Sequence, residues 1–250
     1  MSRRNSGRPS PSDKKLSQNR GSRLARGEPW HVKEQNGTGS EIVSEAPGPG
    51  GGTLVVGITG ASGMPYAVRL VECAARAGRR IHLVVTAAGR LVLADEAGLT
   101  GPPEAPDLAS LWPREVLDRL TYWPAERLSA PPASGSFGAG ATVIVPCSMN
   151  TLAALAQGLA LNLVQRAGQV ALKEGRPLVV VPREMPVTTI DLGNMSRLAA
   201  AGAVVMPAMP GFYHHPRSVG DVVDFVVAKV LDRLGIAHDL GVRWPGCDQA

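Results

Sequence analysis

The sequence predicts an α/β fold: a doubly wound parallel sheet with helices packed on both faces. Three observations carry that expectation. From Thr53 onward, short apolar runs alternate with amphipathic stretches of about 10–15 residues, the pattern of repeated strand–helix crossovers. The first run is continuous rather than alternating, as a strand buried on both sides must be. The composition, 44% hydrophobic but only 4% aromatic, points to an aliphatic core of Val, Leu, Ile and Ala. At 250 residues the chain has room for one such domain.

Leu54-Val55-Val56-Gly57-Ile58-Thr59 reads as the first strand. It runs into Gly60-Ala61-Ser62-Gly63 and then a helix, with Pro65 in its first turn and Gly78 as its C-terminal cap. Ala67, Leu70, Val71 and Ala74 share one face of that helix. Ile81–Val85 is the second strand, and Leu91–Glu96 lies in the following helix. Residues 98–135, rich in Pro and Ala, read as a short helix with extended connections. Further strands are expected at Thr142–Val145, Leu178–Val181 and Ala203–Met206. Helices are expected over 150–158, 162–173, 188–201 and 218–234, and no internal repeat is visible.

Residues 1–52 differ in kind. They hold nine Lys or Arg against five Asp or Glu, +4 of the formal +5, which leaves residues 53–250 at +1. They lack apolar periodicity and end in Pro-Gly-Pro-Gly-Gly-Gly, so they are expected to be a disordered basic extension. The domain is expected over 53–236, with a C-terminal tail at 237–250. No apolar run follows the basic start, as a signal peptide requires; Asp13, Glu28 and the missing amphipathic face argue against an organellar transit peptide. The basic residues lack interleaved aromatics, which argues against nucleic-acid binding. No stretch nears the roughly 18 apolar residues of a membrane span. Cys73, Cys147 and Cys247 are an odd count without metal-ligand spacing. A reducing, cytoplasmic setting is expected, with no disulfide framework and no metal.

Ligands of open parallel sheets bind beyond the carboxyl ends of the strands. The Gly60–Gly63 turn opens a helix there, where backbone amides favour an anion; equally, the glycines simply permit a tight turn. Gly57-x-x-Gly60-x-x-Gly63 is not the dinucleotide fingerprint, and Thr86 closes the second strand in place of a ribose-binding carboxylate. A short-chain dehydrogenase is excluded, because no Tyr is followed four residues later by Lys: Leu70, Glu126 and Arg217 stand at that spacing. Ser148, Asn150 and Thr151 suit a helix cap or a ligand's polar groups, and Cys147 reads as a buried structural thiol. Arg183-Glu184 between Pro182 and Pro186 is rigid and faces the ligand edge, though a structural ion pair fits as well. His214 and His215 are adjacent, point apart and make a poor metal pair; loop packing is the preferred reading. Lys229 on the last helix either reaches the site or is solvated.

Several of these segments resemble one family. Gly57–Gly63, Ala133-Ser134-Gly135-Ser136-Phe137, Pro146–Thr151, Lys173–Pro186 and Pro210–Pro216 closely resemble the UbiX-type flavin prenyltransferases, across about residues 54–235. The resemblance implies a Rossmann-like, flavodoxin-type three-layer domain assembling as a dodecamer. It implies reduced FMN as acceptor and dimethylallyl phosphate as donor, with bonds formed at flavin nitrogen 5 and then carbon 6. The product would be the prenylated FMN used by UbiD-type decarboxylases, with no metal required.

By the same resemblance, Gly60, Ala61 and Ser62 form an FMN-binding turn, joined by Thr86 where the family usually has Ser. Ser148, Met149, Asn150 and Thr151 form a second FMN loop; many relatives carry Lys in place of Asn150. Arg183 serves both flavin and phosphate. Lys173, Tyr213 and Lys229 form the dimethylallyl phosphate cage, with Arg166 a further basic residue that a neighbouring subunit's site can receive. Glu96 and Glu184 are the acidic residues, with Ser62 in their proton relay. Two rivals remain: an FMN-dependent decarboxylase of cysteine-derived substrates, and a non-catalytic FMN-binding regulator.

Overall fold

The computed structural model describes residues 52–102 and 104–241. The expected disorder of the extension through residue 51, the tail from 242 onward and Cys247 lie outside the described residues.

Six strands form one parallel sheet: β1 (Thr53–Ile58), β2 (Arg80–Val85), β3 (Leu120–Pro124), β4 (Ala141–Cys147), β5 (Leu178–Pro182) and β6 (Val204–Val205). Their spatial order is β3-β2-β1-β4-β5-β6, so the winding reverses between β1 and β4. Seven α-helices connect them: α1 (Met64–Arg76), α2 (Ala87–Ala97), α3 (Arg114–Leu117), α4 (Met149–Ala156), α5 (Leu163–Lys173), α6 (Thr189–Ala200) and α7 (Val219–Leu234).

The strands divide the core by alternation. Leu54, Val56 and Ile58 of β1 face a cluster built with Leu70 and Val71 of α1, Val116 of α3, and Val227 and Leu231 of α7. Val55, Ile144 and Val180 face the other way, onto Leu152 of α4, Leu163 and Val164 of α5 and Leu198 of α6. Both faces are covered, which is why these strands read as continuous apolar runs. The approach is close: a Cβ on Gly57 would lie 2.8 Å from a Val164 methyl.

Helix starts follow capping chemistry. Thr188 with Asp191, and Ser218 with Asp221, form reciprocal capping boxes for α6 and α7. Thr86, Ser148 and Asn162 accept from Gly89, Thr151 and Gln165 amides to open α2, α4 and α5. Each expected helix is found within a few residues of its predicted ends.

One strand escapes the sequence expectation. Leu120–Pro124, expected among extended connections, pairs in parallel with β2 from Ile81↔Leu120 to Val85↔Pro124. It is an edge strand with no fully buried residue, and it ends in proline. Those features remove the apolar run that marks the central strands.

Candidate active site at the sheet switch point

The reversal between β1 and β4 leaves a crevice outside their carboxyl ends, the usual ligand position in such sheets. The turn after β1 is set by space. A Cβ on Gly60 would sit 2.4 Å from the Ala88 Cβ, so only glycine lets the turn pass under the start of α2. Gly63 follows at φ 114° and caps α1 without a side chain of its own.

Glu96 supplies the missing cap. Its Oε2 accepts from the Gly63 amide at 2.8 Å and the Met64 amide at 2.9 Å. Burial pushes this carboxyl up. The Ser62 hydroxyl, the Met64 and Gly63 amides and the Arg183 charge outweigh that, holding it below its ordinary value. Glu96 is therefore a carboxylate at neutral pH. The anion expected at this helix end is the protein's own.

Arg183 closes the group. It follows β5, its backbone amide donates to the Cys147 carbonyl at 3.3 Å, and its Nε donates to the Ser62 carbonyl at 3.1 Å. Ser62, Glu96 and Arg183 thus meet over the β1–α1 turn. Glu184, the next residue in the chain, is exposed, with its carboxylate accepting from the Met185 amide at 3.1 Å.

The second loop is stitched to the first by a residue not singled out in the sequence. Thr59 is 1% exposed; its hydroxyl donates to the Pro146 carbonyl at 2.9 Å and accepts from the Ser148 amide at 2.7 Å. A polar residue ending an apolar strand was the available signal. This clamp fixes Ser148, Met149, Asn150 and Thr151 at the start of α4, opposite Gly60–Ser62. Cys147 at the end of β4 is fully buried, and burial pushes its thiol up to about 12. It is a protonated core thiol, not a nucleophile.

Two further groups stand elsewhere. Tyr213, in the loop after β6, packs edge-on against Phe225 of α7 at 5.6 Å between ring centres, and the Lys229 ammonium lies 6.0 Å from the same ring. Lys173 ends α5 and pairs with Glu174, and Arg166 donates from Nε to the Ala133 carbonyl at 3.0 Å. Because α5 runs back against the strands for about 16 Å, it carries Lys173 to the amino edge of the sheet. Neither Lys173 nor Arg166 bonds to Ser62, Glu96 or Arg183 within this protomer.

The crevice fits a phosphate-bearing flavin. It is bordered by the starts of α2 and α4, where the Thr86 and Ser148 hydroxyls already hold the Gly89 and Thr151 amides while helix geometry leaves the earlier first-turn amides without intrahelical partners, and Arg183 adds positive charge. Among the described residues no three His, Cys, Asp or Glu side chains gather as metal ligands, and no helix is long and apolar enough to cross a membrane.

Comparison with known proteins agrees with this geometry. The Flavoprotein family profile matches residues 48–231. The chain is 44% identical over 194 residues to the flavin prenyltransferase UbiX of Pseudomonas aeruginosa, spanning 76% of this chain and 93% of that protein. It resembles the solved dodecameric FMN-dependent UbiX-like decarboxylase of Escherichia coli O157:H7, with TM-score 0.69 and 39% identity, over 78% of this chain and 100% of that one. It also resembles AnUbiX, solved in complex with FMN and dimethylallyl pyrophosphate, with TM-score 0.68 and 34% identity, over 78% and 98% of the two chains. With identity at this level over nearly a relative's full length, the chain belongs to the UbiX flavin prenyltransferase family of flavoproteins.

Proposed function

We propose that this protein transfers a dimethylallyl group from dimethylallyl phosphate to reduced FMN, making prenylated FMN for UbiD-type decarboxylases in the cytoplasm. The observation that carries the reading is the Ser62–Glu96–Arg183 group at the switch point of a chain 44% identical to a flavin prenyltransferase.

Reduced FMN, when bound, supplies the nucleophilic nitrogen 5 and carbon 6. Gly60, Ala61, Ser62, Thr86 and Ser148–Thr151 hold it in the crevice. Asn150 contributes its backbone to this hold, where a lysine side chain would add charge. As the allylic C–O bond breaks, negative charge grows on the phosphate. Arg183, Lys173, Lys229 and the Tyr213 hydroxyl stabilise that charge, and Arg166 adds to it. Closure onto carbon 6 would take up a proton at the allyl double bond and release one from carbon 6; Glu184 would deliver the first and collect the second, with the Ser62 hydroxyl and the ionised Glu96 as relay. Excluding water protects the cationic allyl fragment.

Lys173 and Arg166 reach such a site from a second copy of the chain, because their own protomer sends Lys173 to the opposite edge. The exposed apolar side chains of the carboxyl-edge loops, Leu161, Met185, Met209 and Phe212 among them, suit burial in that assembly, which we take to be a dodecamer.

An oxidative cysteine-type decarboxylase has no use for a phosphate cage, and a mere regulator has no use for the proton relay. The readings separate by product. The transferase releases one inorganic phosphate per reduced FMN consumed, only when both substrates are present. Carbon dioxide release from a peptidyl cysteine without phosphate would overturn it.

A further inference from the structure

Phe225 brings together two of the residues proposed to meet the donor's phosphate. Tyr213 lies in the loop between β6 and α7, whereas Lys229 lies within α7, one helical turn beyond Phe225. The Phe225 side chain is 8% exposed, while Lys229 is exposed and Tyr213 is 43% exposed. Two long polar side chains on different elements have no intrinsic reason to keep a fixed separation.

Three groups bear on the Phe225 ring. Tyr213 meets it edge-on at 5.6 Å and 77°, His214 stacks on it at 5.2 Å and 14°, and the Lys229 ammonium stands 6.0 Å from its centre. Tyr213 and His214 also touch each other edge-on at 5.9 Å. The loop backbone is pressed onto the same ring. A Cβ on Gly211 would lie 2.8 Å from Phe225 Cζ and 2.9 Å from Tyr213 Cε1. Aromatic geometry fixes the Tyr213 ring, and the ring's quadrupole draws the ammonium toward it.

From this arrangement we infer that Phe225 is a positioning residue for the donor's phosphate. It sets the Tyr213 hydroxyl and the Lys229 ammonium at a fixed spacing, without touching the flavin. The inference rests on the proposed transferase reading. Phe225 acts through donor binding, so its loss raises the KM for dimethylallyl phosphate and leaves FMN affinity unchanged.

The test uses the full-length, FMN-loaded protein. Phe225→Leu keeps apolar bulk and removes the ring; Phe225→Tyr keeps the ring. The Leu variant is expected to raise the KM for dimethylallyl phosphate about tenfold, with the FMN Kd within about twofold and Phe225→Tyr near wild type. An unchanged KM, or an FMN Kd that worsens in step with KM, overturns the inference. So does a Tyr variant as impaired as the Leu variant. A double-mutant cycle gives a second reading: Phe225→Leu should add little to Lys229→Met, whereas full additivity overturns the coupling. Calorimetric titration of inorganic phosphate into wild type and Phe225→Leu needs no turnover. If wild type binds phosphate, Phe225→Leu binds it about tenfold more weakly and no prenyl group moves, the transferase reading falls and the positioning role stands. Equal phosphate affinity of the two proteins overturns the positioning role alone.

Discussion

The Glu96 carboxylate caps the helix that Met64 opens, accepting from the Met64 amide at 2.9 Å although Glu96 lies 32 residues further along the chain. The contact ties α2 to the β1–α1 turn and places a negative charge beside Ser62 at neutral pH. Glu96→Gln should cost about 1 kcal/mol of stability at pH 7, the usual worth of an N-terminal cap. Its pKa is depressed in the folded state, so the stabilisation is fully present above the unfolded-state value of about 4.3 and fades as pH falls through the folded-state value. Denaturant unfolding of both proteins from pH 7 downward checks this: the gap should be widest at neutral pH and narrow as acid titrates the carboxylate.

Thr59 makes a second tie, between the two loops of the crevice. Thr59→Val keeps the shape but leaves the Ser148 amide without its acceptor, while the Pro146 carbonyl loses the hydroxyl and keeps only the backbone amide of residue 59 at 3.3 Å. The expected loss is about 1–3 kcal/mol, together with weaker FMN binding; Thr59→Ser should recover both. Urea unfolding and flavin fluorescence titration measure the two effects on one preparation.

These two ties show where the sequence was legible. The aliphatic strands and most helices were readable because apolar runs and amphipathic stretches are local patterns; the capping pairs Thr188–Asp191 and Ser218–Asp221, equally local, went unread. The Gly60–Ser62 and Ser148–Thr151 loops followed from their places at strand ends. The tie from Glu96 to Met64 has no local signature, since the carboxylate comes from the far end of another helix. Thr59 looked like a strand residue because its role is to bridge two loops 87 positions apart. β3 was hidden by its half-buried edge position and terminal Pro124. The position of Lys173 depends on the direction of α5, which composition does not encode.

Gly60 is held to glycine by Ala88. Gly60→Ala should lower FMN affinity at least about tenfold, since the turn must shift by several tenths of an ångström or more to clear a 2.4 Å approach. Adding Ala88→Gly should restore much of that affinity. Failure of the double variant to recover would place the cause in the turn's own backbone.

Cys147 serves the core alone. Iodoacetamide should leave it unlabelled in the native protein, and Cys147→Ala should keep prenyl transfer within about twofold at a cost of about 1 kcal/mol. Mass mapping of the alkylated protein and a turnover assay test both halves.

The proposed division of the phosphate cage between copies gives a complementation test. Lys173→Ala and Arg183→Ala should each be nearly inactive alone. Dissociated and reassembled together, they should regain a fraction of wild-type turnover, because mixed contacts pair an intact Lys173 with an intact Arg183. Activity that stays absent in verified mixed oligomers would show that one protomer supplies both residues.

The most direct measurement is anaerobic incubation of the purified protein with reduced FMN and dimethylallyl phosphate, followed by mass spectrometry of the extracted flavin. A flavin heavier by one dimethylallyl unit, formed only with both substrates and the protein present, is the expected product. A flavin that stays bound yet leaves with its mass unchanged, while the donor remains intact, would contradict the transferase reading.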